Sequence, residues 1–269
     1  RWEALGYNEP LLVQFGIYLK NIFTEWDFGT SWYVQEMKPA MELITGRLLP
    51  TVLVNLYSLL FSIPIGIAAG VLAAIKKNKW QDQVINVFII LLISLPSIVL
   101  ALLIQYVFCF RLNWFDLMMS TSNDYFSWPV FKSMLPAVFA LCLGSIAGYA
   151  RYTRAELSEV LTSEFMLLAR TKGLTKMQAT VRHAMKNCMI VILPSIFGEF
   201  IGILGGSMII EKIFAIPGTG GLYLNSINGR DYPIFLMITI FNTVIGLAAN
   251  IIVDISYGFI DPRIRMGAK

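Results

Sequence analysis

The sequence is poor in the groups that most catalytic and metal-binding sites need. It has one histidine, His183, and three cysteines, Cys109, Cys142 and Cys188, among 269 residues. A lone histidine without a second His or Cys at ligand spacing argues against a metal centre and excludes a histidine-paired metalloprotease. The cysteines are odd in number, lie in or beside apolar runs, and read as packing residues. Charge is scarce, at 14% of residues against 57% hydrophobic, with a mean hydropathy of +0.67. No glycine-rich loop ends in Lys-Ser or Lys-Thr; Gly218 to Gly221 lacks the lysine, so the chain has no phosphate loop of its own. Neither a serine beside a base nor a pair of aspartates occurs at depth, which argues against an intramembrane enzyme.

Long apolar runs are what the chain does have. A helix needs about 20 apolar residues to cross a hydrocarbon core, at about 1.5 Å each. Five stretches qualify: Val52 to Ile75, Val84 to Phe110, Ser133 to Ala150, Cys188 to Ile210 and Ile234 to Val253. Every Lys and Arg lies outside them, unlike buried helices of a large soluble enzyme. Backbone groups in lipid must be satisfied within the segment, so the fold class is all-α: a polytopic helical membrane bundle. Pro64, Pro96 and Pro194 are expected to kink their helices. Gly66 with Gly70, Gly144 with Gly148, Gly198 with Gly202 and Gly202 with Gly206 have the spacing that lets helices pack closely in lipid.

The formal charge of +4 is not a nucleic-acid footprint, because the basic residues divide by loop and do not form a stripe with aromatics. They gather at Lys76, Lys77 and Lys79, along Arg151 to Lys186, and at Arg263, Arg265 and Lys269. The positive-inside bias places these regions in the cytoplasm and residues 1–47, with six acidic residues, outside. Residues 1–47 then form an external segment in which Trp26, Trp32 and Tyr33 suit a headgroup interface, and residues 48–269 form the membrane domain. Glu199 is a carboxylate inside a span, where such a group normally faces a cavity or a partner; lining a passage and helix packing are both open. Asp254 has a structural role in view, pairing with Arg263 or Arg265. Pro217, Gly218 and Gly220 make a turn-rich external loop that either contacts a partner or simply turns the chain.

The segment between the third and fourth spans, 151–187, carries two apolar stripes. Leu157, Leu161, Phe165 and Leu168 fall at helical spacing, as do Leu174, Met177, Val181 and Met185. Gly173 suits a helix stop, and Thr175 with Gln178 has the form of a capping box. A helix-turn-helix protruding from the spans is expected.

Glu164-Phe165, Ala169-Arg170-Thr171-Lys172-Gly173-Leu174 and Arg182-His183-Ala184-Met185-Lys186-Asn187 resemble the cytoplasmic motif of dipeptide and oligopeptide permeases, the membrane subunits of peptide/nickel ATP-binding-cassette importers. The likeness continues in order through Glu211, Phe214, Pro217, Gly218 and Gly220, Asp231-Tyr232-Pro233, and Asn250, Asp254, Tyr257 and Asp261-Pro262-Arg263. Gly6, Pro10, Gln14, Gly29 and Ser31 also fit. The resemblance implies the type I importer transmembrane fold, with a sixth, N-terminal helix expected ahead of the five spans. It implies that Glu164, Ala169, Arg170, Lys172, Gly173 and Leu174 form the coupling segment that docks on an ATPase subunit. The partners it implies are a second homologous permease subunit, two cytoplasmic ATP-binding subunits that hold ATP and Mg, an extracytoplasmic substrate-binding protein and membrane lipid. This chain would bind no cofactor, in a prokaryotic cell membrane. Leu167 and Leu168 stand where the broader importer motif differs, and the later Leu-Pro sits at Leu193-Pro194. Peptide is the first substrate implied, with nickel or another small solute as the alternative within the class. An ion-coupled secondary carrier is the rival outside it, disfavoured by the lack of an inverted repeat.

Overall fold

The computed structural model describes residues 8–120, 122 and 124–260. In order, the helices are α1 (Leu11–Glu25), α2 (Ala40–Ile75), α3 (Trp80–Ser94), α4 (Ser97–Ile104), α5 (Trp128–Val160), α6 (Glu164–Thr171), α7 (Lys176–Ala179), α8 (Met185–Gly202), α9 (Met208–Ile213), α10 (Thr219–Asn228) and α11 (Tyr232–Ile260). A π-helical turn, Gln105–Arg111, extends α4, and another, Thr180–Ala184, joins α7 to α8. Among the described residues the fold is all-helical, with one isolated bridge between Thr30 and Pro39.

Four helical stretches are long and apolar enough to cross a membrane: Ala40–Ile75, Trp128–Val160, Met177–Gly205 and Tyr232–Phe259. α2 begins at Ala40, behind Pro39, so a helix already runs through the last residues of the segment read as external. The expected fourth span, Cys188 to Ile210, stops short; after a 3₁₀ turn at Ile203–Gly205, Gly206 takes φ +71° and Ile210 belongs to α9.

The second expected span, Val84 to Phe110, is broken. Trp80–Ser94 and Ser97–Arg111 meet at 102°. Pro96 has no N–H to continue the ladder, and its ring drives the preceding residue out of the helical region. Leu95 accordingly sits at φ −86°, ψ 128°. Pro64 and Pro194, by contrast, lie within helices that continue past them, as do Pro50 and Pro136.

α2 and α5 pack most closely, and the sequence shows why. A Cβ on Gly66 would lie 2.6 Å from Tyr149 Cβ, and one on Gly70 would lie 2.5 Å from Thr153 Cβ. Only glycine admits that approach, which in lipid gives helices their dispersion contact. Ala73, Ala74, Ala147 and Ala150 are buried in the adjoining turns. Of the other pairs expected to pack, Gly144, Gly148 and Gly202 would present a Cβ to open space, and Gly198 would meet only Val253 Cγ2 at 3.3 Å. At the end of the pair rich in lysine and arginine, Arg154 grips the buried Asp82 by Nε at 2.6 Å and Nη2 at 3.0 Å. The Asn78 amide and the Asn86 side chain donate to the same carboxylate at 2.9 and 2.8 Å.

Gly70→Ala is expected to destabilise the detergent-solubilised subunit by about 1–3 kcal/mol through overpacking. Gly144→Ala, with nothing in its way, should be neutral or stabilising by up to about 1 kcal/mol from helix propensity. Thermal unfolding of the two variants checks both.

Candidate functional site

The protruding helix-turn-helix between α5 and α8 forms, but not with the faces that spacing suggests. α5 ends at Val160, and after Leu161 to Ser163 the chain restarts as α6 with Ser163 extended at φ −71°, ψ 155°. The single amphipathic helix expected from Leu157 onward is therefore two helices. Leu157 is fully buried, whereas Phe165 and Leu168 are exposed; Met166 and Ala169 face inward in their place. Beyond the turn, Met177 and Val181 are likewise exposed, while Ala179, Thr180, Ala184 and Cys188 are buried. On that side of the turn, small side chains fill the contact with the bundle while Met177 and Val181 remain outside.

The turn itself matches its sequence signals. Gly173 holds φ +89°, a left-handed conformation that an L side chain adopts only at a cost. The Thr175 amide donates to Gln178 Oε1 at 3.1 Å and the Gln178 amide to Thr175 Oγ1 at 3.3 Å, a reciprocal capping box. Of the residues expected to couple, Glu164, Arg170, Lys172 and Gly173 are exposed. Ala169 is buried and Leu174 partly so, in a cluster with Met166, Leu157 and Ala184 that fastens the segment to the bundle. The result is a firmly anchored turn with a mixed apolar and charged outer face, including Leu167 at 65% exposure.

Glu199 lies on α8 beside the middle of α5. Ser145 Oγ donates to its Oε1 at 3.2 Å, and the Tyr149 hydroxyl donates to Oε2. Its own side chain is exposed on the surface of the single chain.

At the end opposite the lysine and arginine cluster, two further carboxylates organise the loops. Asp231 is fully buried just before α11, and its Oδ2 accepts from Ser31 Oγ at 2.7 Å and from the amides of Trp32, Tyr33 and Val34 at 3.1, 3.0 and 3.0 Å. Gly29, at φ +87°, lets the chain pass Pro233, whose Cβ lies 3.2 Å from where a side chain would begin. Burial pulls the Asp231 carboxyl upward, but these donors, led by Val34, outweigh it and hold the group below its ordinary value. Glu211 is the second. Thr51 Oγ1 donates to its Oε1 at 2.9 Å and the Gly221 amide to its Oε2 at 3.0 Å, while the Thr219 amide donates to Thr51 Oγ1 at 2.9 Å. Burial pushes the Glu211 carboxyl up, against these donors. The carboxylate thus caps the start of α10, where free amides and the helix dipole favour an anion. Gly218 and Gly220 are buried around it, since a Cβ on Gly218 would meet Glu211 Oε2 at 2.4 Å; Pro217 alone of the three loop residues is exposed.

Ser31, Gly29, Asp231 and Pro233, and likewise Glu211, Gly218 and Gly220, are scattered along the sequence as matches to one family pattern. That they meet in pairs of clusters explains why they occur together. A family model described as the binding-protein-dependent transport system inner membrane component matches residues 66–266. The chain belongs to that family. It is 31% identical over 265 residues to the glutathione transport system permease protein GsiC of Salmonella choleraesuis, covering 98% of this chain and 82% of the relative. It is 34% identical over 284 residues to the dipeptide transport system permease protein DppB of Alkalihalophilus pseudofirmus, covering 98% and 84%. Its fold resembles a chain of the inward-facing MetNI methionine ABC transporter, with a TM-score of 0.61 at 17% identity, covering 80% of this chain and 97% of that one. A crystal structure of an amino acid ABC transporter gives 0.58 at 21% identity, covering 81% and 94%. The fold is that of ABC importer membrane subunits, and the chain is a multi-pass permease component.

Several functional-looking contacts of this permease escaped periodicity. The Asp82–Arg154 pair and the Thr51–Glu211 bond join residues 72 and 160 positions apart, and their only sequence signal is a polar group at the edge of an apolar run. Gly6 and Asp261 to Arg263 lie outside the described residues, as does the expected pairing of the exposed Asp254 with Arg263 or Arg265.

Because the Asp231 carboxyl is held low, its stabilisation is fully present above the ordinary carboxylate pKa and is lost as pH falls through the folded value. Protection of the Trp32 to Val34 amides, measured relative to exchange from the unfolded chain at the same pH, should therefore hold through neutral and mildly acidic pH and fall in stronger acid. In Asp231→Ala that protection should be low throughout, with a stability loss of about 1.5–3 kcal/mol.

Proposed function

We propose that this permease forms half of the passage of a peptide importer, receives di- or oligopeptides from an extracytoplasmic binding protein, and is driven by ATPase subunits docked on the turn at Gly173. The observation that carries this reading is the anchored turn. A stroke delivered by a motor subunit reaches the spans only if the docking element is stiff and tied to them, and Ala169 and Leu174 tie it on both sides of Gly173. Its exposed Phe165, Leu167 and Leu168 offer the apolar area that a partner would cover, with Glu164, Arg170 and Lys172 as charged contacts. The basic loops argue that this end is cytoplasmic. Peptide as cargo is supported by the names of the relatives, one a dipeptide and one a glutathione permease.

ATP and Mg are read as belonging to two partner ATPases, since this chain carries no phosphate loop. A second, homologous permease subunit completes the passage, and Glu199 lines it. Pro217, with Gly218 and Gly220 shaping the loop behind it, is read as a contact for the binding protein. Nickel or another small solute remains the alternative cargo.

Reconstitution with the second permease, the ATPases and the binding protein should give ATP-dependent uptake of a peptide panel in preference to nickel; uptake independent of ATP would overturn the reading. Within that system, Gly173→Asn should retain most transport, because asparagine tolerates the left-handed conformation. Gly173→Val, straining the turn by about 1–2 kcal/mol or refolding it, should insert normally yet lose ATPase copurification and uptake.

A further inference from the structure

Four carboxylates of the bundle are held in two different ways. Asp82, Glu211 and Asp231 are buried and accept from backbone amides or from Arg154. Glu199 is exposed and accepts from two hydroxyls, Ser145 and Tyr149, neither of which carries a charge to balance it. The ion pair found among the described residues is Arg154 with Asp82, so Glu199 has no cation from its own chain there.

Ser145 and Tyr149 are one helical turn apart, so both hydroxyls reach the carboxylate from one face of α5. Both helices leave room beside the site: a Cβ on Gly144 or Gly148, which precede Ser145 and Tyr149 in α5, or on Gly202, three residues after Glu199 in α8, would meet nothing within 4 Å. With both hydroxyl protons directed at Glu199, what faces that space is acceptors alone. The carboxylate keeps unused lone pairs, and each hydroxyl oxygen keeps its own. An ammonium group is the matching chemistry, since it offers three donors and no acceptor. Facing lipid, an uncompensated carboxylate at this depth is costly. Facing water between low-dielectric walls, it concentrates cations.

We propose that Glu199, held by Tyr149 and Ser145, receives the ammonium group of the transported solute and so selects cargo bearing a free amine within the passage. This rests on the reading that the α5–α8 face lines the passage. Tyr149 and Ser145 are positioning residues for the carboxylate, and Tyr149 is itself set by the contact of its Cβ with Gly66.

The test places a thiol beside the site in the complete importer. Gly148→Cys has room for its side chain, and the native Cys109, Cys142 and Cys188 are buried. Its rates of modification by a cationic trimethylammonium-ethyl and an anionic sulfonato-ethyl methanethiosulfonate are measured, each normalised to free cysteine. The expected result is a preference of about tenfold or more for the cationic reagent, abolished by adding Glu199→Gln. Equal normalised rates would overturn the proposal while leaving the passage reading in place, as when a partner subunit supplies a cation. No modification by either reagent, with or without ATP, would overturn the passage reading and the proposal with it. In uptake, Glu199→Gln should lower transport of a free-amine dipeptide by about tenfold or more, the worth of a charge-assisted hydrogen bond, with Glu199→Asp partly retained. Unchanged uptake in Glu199→Gln would also overturn the proposal.

Discussion

Gly66 and Gly70 bring the backbone of α2 against Tyr149 and Thr153 of α5, and most of what is distinctive in the bundle hangs from that contact. Tyr149, fixed against Gly66, is the residue that holds Glu199 on α8. Thr153, fixed against Gly70, precedes Arg154, which reaches across to Asp82 and secures the loop after α2. α5 is followed by the short α6 and then by the turn at Gly173. In lipid, where apolar burial does not distinguish a neighbouring helix from a lipid tail, a close backbone approach is the force available to fix one helix on another. Two glycines without side chains thus help set the position of a carboxylate that lies in a different part of the chain.

The opposite end is held by charge. Asp231 gathers three consecutive amides and a hydroxyl from residues 31–34, about 200 positions away in sequence. Glu211 gathers the start of α10 and ties it to Thr51 of α2. A buried carboxylate is costly until its lone pairs are occupied, and backbone amides occupy them without a flexible side chain to order. These loops are organised around carboxylates in addition to the apolar clusters that Phe28, Phe214, Ile216 and Leu222 join. Glu199 departs from that pattern: its donors are two hydroxyls and its side chain is exposed.

Much was legible in the chain itself. Apolar length and the exclusion of Lys and Arg mark five membrane units; three of them lie within single helices, the second is bent at Pro96 and the fourth ends before Gly206. Gly173, Thr175 and Gln178 marked the turn correctly because caps are local: the partners are within three residues of each other. The stripes around the turn misled, since Phe165 and Met177 share helical spacing with buried positions yet face outward, and Ala169 and Ala179 take the inner face. Spacing reports which residues share a face, not which face meets the bundle. The same limit applied to the glycine pairs, of which Gly66 with Gly70 packs as expected and Gly144 with Gly148 lies open.

By itself the sequence determined that the protein is a helical membrane component, that a capped turn falls at Gly173, and to which family it belongs, because hydropathy, capping and ordered motifs are properties of the chain. Tertiary structure alone decided that Pro96 breaks a span at 102° while Pro64 and Pro194 do not, that Asp231 closes on Ser31 to Val34, and that Glu199 is met by two hydroxyls and no cation. The last two outcomes depend on what a distant segment places opposite a residue: a loop that delivers its amides to Asp231, or two hydroxyls and open surface at Glu199.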